Sequence, residues 1–245
     1  MAQLRLVRPI PPVHSERYSP ELERRYEATI SESRTTLPKK WPLACGGAAN
    51  AFLVLLGPSM GAAARDEPVE VGGANRPQRY PMQIGQGVMD FEGLGRRKRR
   101  WQRLCAAMLG GEQYITSMTA LLNLDWRHSS SESDIPQADL IAGLTDYIWP
   151  LLYELGPRIV CVLSNRTWDT VYPQITQCEG VPLKLPFPLT DSRGIKPSRQ
   201  PLAFRLPDCD FQTLLIKPHR HPSRALSYEQ ISIIGRACQQ FLQQA

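Results

Sequence analysis

No stretch of the chain is apolar for the roughly twenty consecutive residues that a membrane span requires. The first residues, MAQLRLVRPIPPVHSER, carry no long apolar segment followed by small residues, so no secretory signal is expected and the expected setting is intracellular. Cysteine is present without any CxxC pair: Cys45, Cys105, Cys161, Cys178, Cys209 and Cys238 stand far apart. Zinc ribbons and iron–sulfur clusters usually draw on such close pairs, so no metal cluster of that kind is expected, and nothing else in the sequence implies a cofactor. Several of these cysteines lie in apolar runs, where a thiol behaves as a small buried hydrophobe. Internal repeats and long low-complexity tracts are also missing, which argues against a solenoid.

What remains is a chain of 245 residues, enough for one sizeable core, with a formal net charge of +6. A basic excess suits a polyanionic partner, because phosphate contacts come mainly from Lys and Arg. The densest basic run is Arg96-Arg97-Lys98-Arg99-Arg100-Trp101. Arg97, Lys98 and Arg100 are candidate phosphate contacts there. Trp101 is either a stacking platform or a core residue of a solvated helix start.

Residues 1–48 are rich in Pro, Arg, Glu and Ser and read as an arm, with a polar helix expected over Pro20–Ser33. Residues 49–245 read as one domain. Continuous apolar runs predict strands covered on both faces over Ala51–Leu56, Gln113–Met118, Arg158–Ser164 and Phe211–Ile216. Helical periodicity covers Arg99–Leu109, which stops at Gly110-Gly111, and also Ala138–Leu155 and Tyr228–Leu242. Strands separated by helices predict an α/β sheet with helices on both faces. Ligands of such sheets bind beyond the carboxyl ends of the strands, which gathers the loops after Leu56, Met118, Ser164 and Ile216 around one site.

Those loops contain LLGPSMG at 55–61, YITS at 114–117, PRIVCVLS at 157–164 and HPS at 221–223. In this order and spacing the chain resembles the uracil-DNA glycosylase superfamily over roughly residues 50–242. The family has a G-x-x-P-G-like turn after one strand, an Asn ending a second, an apolar third strand and H-P-S after the last. The resemblance implies a three-layer α/β/α domain with a central four-stranded parallel sheet. It also implies a DNA groove and hydrolysis of an N-glycosidic bond on an extruded nucleotide. His221 would stabilise negative charge on the leaving base. Gly57, Pro58, Met60 and Gly61 would line the base pocket, with Tyr80 or Phe91 as the stacking aromatic. Ser223 would contact phosphate, and Arg224 or Leu226 would fill the gap left by the extruded base.

Two positions depart from the family pattern. Ser59 stands where a carboxylate or Asn usually places the water, so Asp66 or Asp90 is expected to substitute as the activating group. Ser117 stands at the expected place of the base-reading Asn, whose amide both donates and accepts. Together they predict a pocket for a base other than plain uracil, such as a bulky modified base of viral DNA, in antiviral defence; conventional repair is the default alternative. The expected protein is a monofunctional, monomeric DNA glycosylase without membrane attachment. A degenerate DNA-binding relative is the non-enzymatic alternative. A serine hydrolase is the other, since GPSMG fits G-x-S-x-G and Ser59, Asp208 or Asp210, and His221 follow in triad order. Only about fifty residues precede that elbow, however, and no HGGG-like segment is among them.

Overall fold

The computed structural model describes residues 46–47, 51–58, 98–124, 132–207, 209–222 and 226–244. Apart from Gly46 and Gly47, the expected arm and its Pro20–Ser33 helix lie outside them.

The strands are β1 (Gly46–Gly47), β2 (Leu53–Gly57), β3 (Thr119–Asn123), β4 (Ile159–Val162), β5 (Val181–Pro182), β6 (Leu202–Phe204) and β7 (Thr213–Ile216). They form one sheet in the order β1-β3-β2-β4-β7-β6-β5. β2 pairs in parallel with β3 on one side and β4 on the other, and β4 pairs in parallel with β7. The outer pairs are antiparallel, so the sheet is mixed where the sequence led us to expect parallel strands alone. The reason for β6 is the length of its link to β7. Residues 205–212 are too few for the crossover that a parallel neighbour needs.

The second expected strand is displaced. Gln113–Met118 is helical: a 3₁₀ turn at Glu112–Tyr114 runs into a single α turn at Ile115–Met118. Ile115 and Met118 are buried while Thr116 and Ser117 are exposed. In a strand this close to the middle of the sheet, Gln113, Thr116 and Ser117 would lose water with few partners. The run Thr119–Asn123, with its apolar centre, takes the place instead.

The helices are α1 (Lys98–Leu109), α2 (Ile115–Met118), α3 (Gln137–Gly143), α4 (Trp149–Leu155), α5 (Asn165–Gln177) and α6 (Tyr228–Gln244). α3 and α4 are halves of one expected helix, joined by a π-helical turn at Leu144–Ile148. Pro150 follows that turn, and its missing N–H and bulky ring would disrupt a regular α turn there. α5 was not anticipated. Its residues are weak helix formers and Pro173 lies inside it, yet Trp168, Val171 and Ile175 share one buried stripe.

Alternation along the strands divides the core in two. Leu53, Leu55, Ile159, Cys161, Leu214 and Ile216 face α1 and α6. Val54, Leu56, Val160, Val162 and Leu215 face α3, α4 and α5. α1 and α6 touch closely enough that a Cβ on Gly235 would come within 2.8 Å of the Ala107 Cβ. Cys105, Cys161 and Cys238 are free, buried thiols in the α1/α6 core. Burial pushes the Cys161 thiol up to about 12 and raises Cys105 and Cys238 likewise, so they pack as hydrophobes. Between β5 and β6 an extended strap turns Leu183, Leu185, Phe187 and Leu189 inward onto that core. Among the described residues no helix is long and apolar enough to cross a membrane.

Candidate functional site

β2 leads to β3 on one side and β4 lies on the other, so the topological switch point falls between β2 and β4, at their carboxyl ends. The residues there are Gly57 and Pro58 after β2, Asn123 and Leu124 after β3, Leu163 and Ser164 after β4, and Lys217 to His221 after β7.

Gly57 and Asn123 are register partners, and the Leu124 N–H closes the strand end by donating to the Gly57 carbonyl at 2.9 Å. A Cβ at position 57 would overlap the Asn123 Oδ1, so the glycine is required by the amide folded beside it. Asn123 is only 5% exposed, and its buried Nδ2 has no hydrogen-bond partner among the described residues. An orphan donor of this kind costs about 1–3 kcal/mol unless something accepts from it. Leu122 and Leu124 point into the α3–α5 core, so strand alternation puts Asn123 on the α1/α6 side.

On that side α1 brings up Trp101, 4% exposed, whose buried Nε1 also has no partner among the described residues. Its ring meets His221 edge-on, centroids 5.5 Å apart and planes at 80°. Trp101 is therefore a core residue that supports the site histidine, and it is not available as a stacking platform on the surface.

His219, two residues earlier, is buried and bonded through Nε2 to the Leu189 carbonyl at 2.6 Å. A carbonyl only accepts, so Nε2 carries the proton and fastens the strap to the β7 loop. Burial lowers the His219 pKa below 6.5, which leaves its partnerless Nδ1 as a bare acceptor. The turn beyond the strap is fastened to α6. Burial opposes ionisation of Asp191, but donation from the Ile195 N–H, Gln230 Nε2 and the Arg193 N–H holds its carboxyl below the usual range.

The α3–α5 side of the strand ends is built differently. Ser164 caps α5 by accepting from the Thr167 N–H at 3.0 Å, and its hydroxyl donates to Glu132 Oε1 at 2.5 Å. Arg166 donates to the carbonyls of Glu132 and Ile135, and Gln137 reaches Thr170 at 2.9 Å. Asp169 and Arg199 form a two-pronged ion pair at 2.7 and 2.9 Å. Lys217 is buried beside this network, and desolvation lowers its pKa.

Of the residues singled out from sequence, Gly57, Pro58 and His221 lie at the strand ends. Lys98 and Arg100 open α1, with Arg100 exposed. Ser117 is not at a strand end: it sits exposed on α2, and Asn123 holds the position expected of it. Leu226 is 3% exposed within the α1/α6 core, which leaves it no free apolar side chain to insert into a base stack. Ser59, Met60, Gly61, Asp66, Tyr80, Asp90, Phe91, Arg97, Asp208, Ser223 and Arg224 lie outside the described residues. Sequence reasoning missed Asn123 and His219. The signal for Asn123 was a single polar residue set among leucines, in LLNL.

No known protein family matches the sequence, and no curated protein matches it.

Proposed function

We propose that the chain is a monofunctional DNA glycosylase of the uracil-DNA-glycosylase-like, three-layer type. The reading is supported by four strands paired in parallel in the order β3-β2-β4-β7 between two helical layers. The single observation that carries it is the unsatisfied Asn123 amide beside Gly57 at the switch point. A buried donor left open by the protein is suited to a carbonyl oxygen on an extruded base. Asn123 would donate to that carbonyl and fix the base edge. His221, braced by Trp101, would stabilise the charge that builds on the base as the glycosidic bond breaks. Attack by water then leaves an abasic sugar.

The substrate class follows from the same amide: a base that presents a carbonyl. Ser117 no longer argues for an enlarged pocket. Ser59 still does, so modified pyrimidines of viral DNA stand beside uracil as candidates, with defence and repair as the corresponding roles.

The test is base release from DNAs carrying uracil, deaminated purines or modified pyrimidines, read by mass spectrometry and by alkaline cleavage at abasic sites. We expect one carbonyl-bearing base to be released. Tight DNA binding without release of any base would overturn the enzyme reading in favour of a binding protein of the same fold, which Ser59 in the water-placing position favours.

A further inference from the structure

α1 and α6 both begin at the carboxyl edge of the sheet, since α6 follows β7 and α1 leads back toward the start of β3. The start of α6 lies against the second turn of α1, where Arg103 meets Tyr228, and the exposed side of α1 there has an unusual composition. α1 reads KRRWQRLCAAML, with no acidic residue, and Arg99, Arg100 and Arg103 are exposed. Arg220, in the loop between β7 and α6, is exposed as well. Beside these cations stands Tyr228, which is 66% exposed, the largest value among the exposed large hydrophobic residues described.

Tyr228 is held in place rather than loose. The Arg103 guanidinium lies over its ring, 4.4 Å from the centroid. A cation on one face fixes the ring plane, and the high exposure leaves the other face to solvent. Glu229, the next residue, keeps its negative charge but is turned toward the strap, where it accepts from the Ser192 N–H at 2.7 Å and the Ser192 hydroxyl at 2.8 Å. An exposed aromatic with a cation on one face, beside a helix rich in arginine, is an arrangement suited to an unpaired nucleic-acid strand. The base stacks on the ring and the backbone follows the positive charge.

The geometry points to Tyr228, braced by Arg103, as a stacking platform for an unpaired base of single-stranded DNA flanking the site. The inference rests on the DNA reading above and adds a strand preference to it. A duplex hides its base faces in the stack, so only an unpaired strand can use the ring. The arginines contact phosphate in either form.

The experiment measures affinity of the full chain for a short fluorescein-labelled single strand and for the same sequence as a duplex, across a salt series. Tyr228→Ala should weaken single-strand binding about five- to a hundredfold. Duplex affinity should change by less than about twofold, and the slope of affinity against salt should hold, because no charge is removed. Tyr228→Trp should restore the loss. Unchanged single-strand binding in Tyr228→Ala, or an equal loss on duplex, would overturn the platform and leave the DNA reading standing. If the unaltered protein binds neither strand nor duplex at low salt, both fall together. Tyr228 is exposed, so neither substitution is expected to disturb folding.

Discussion

The two sides of the sheet meet at the same strand ends and treat their polar groups in opposite ways. At the strand ends on the α3–α5 side, several polar groups answer one another: Ser164 with Glu132 and Thr167, Arg166 with two carbonyls, Gln137 with Thr170 and Asp169 with Arg199. On the α1/α6 side Asn123 Nδ2 and Trp101 Nε1 are buried with no partner among the described residues. A closed network is scaffold, because each member is worth most to its neighbours. An open one carries a standing cost that a ligand can relieve. Under the proposed function, one side holds the loops and the other binds the base.

The largest expected effect breaks this contrast from the open side. Asn123→Ala should slow base release by about a hundredfold or more, the usual loss when a donor to a developing charge is removed. It should cost less than ~1 kcal/mol of stability, because relief of the unpaired Nδ2 donor offsets the packing lost with the side chain. Single-turnover release paired with urea unfolding reads both quantities. A large loss of stability would make Asn123 a scaffold residue. Gly57→Ala comes next. Its new methyl group meets the Asn123 Oδ1, so the amide or the strand end must shift, at about 1–3 kcal/mol, with base release falling alongside. A variant of wild-type stability and activity would show that the amide is not held against Gly57.

From the closed side, Ser164→Ala removes an N-cap and the Glu132 contact. It should lower stability by about 0.5–2 kcal/mol in urea melts, and base release measured under folding conditions should change little. A catalytic loss larger than the stability loss would move the site toward Glu132. The smallest effect is a pH dependence. Burial depresses the His219 pKa, so the folded state binds the proton less readily than the unfolded chain. Its contribution is complete above 6.5, the ordinary histidine value, and declines as pH falls from there toward the folded pKa. His219→Gln should flatten that part of the stability curve, and an unaltered curve would assign the slope to another group.

Much of this could be read from the chain. The runs that became β2, β4 and β7 are continuous and apolar, and they hold their places because strands covered on both faces admit little else. α1 and α6 follow from their periodicity, and the end of α1 also from Gly110-Gly111. The loop that carries His221 to the strand ends was legible from its place after an apolar strand. Ser117 was misplaced because β-branched residues in QYITSM imitate a strand, and strand preference depends on the neighbours a segment receives. α5 was overlooked because its propensity is poor and only packing against β4 and its neighbours makes it helical.

The sequence by itself determined that the chain would bury alternate residues of short parallel strands beneath amphipathic helices, since hydrophobic period and helix stops are local properties. Which polar residue would reach the strand end was decided by the tertiary structure. Position 117 and position 123 differ in whether the sheet can bury their neighbours, and a central place beside Leu53–Gly57 admits only the run with the apolar centre. The same burial that selected β3 carried Asn123 in beside Gly57 with its Nδ2 unpaired, an outcome of two segments far apart in the chain meeting in register.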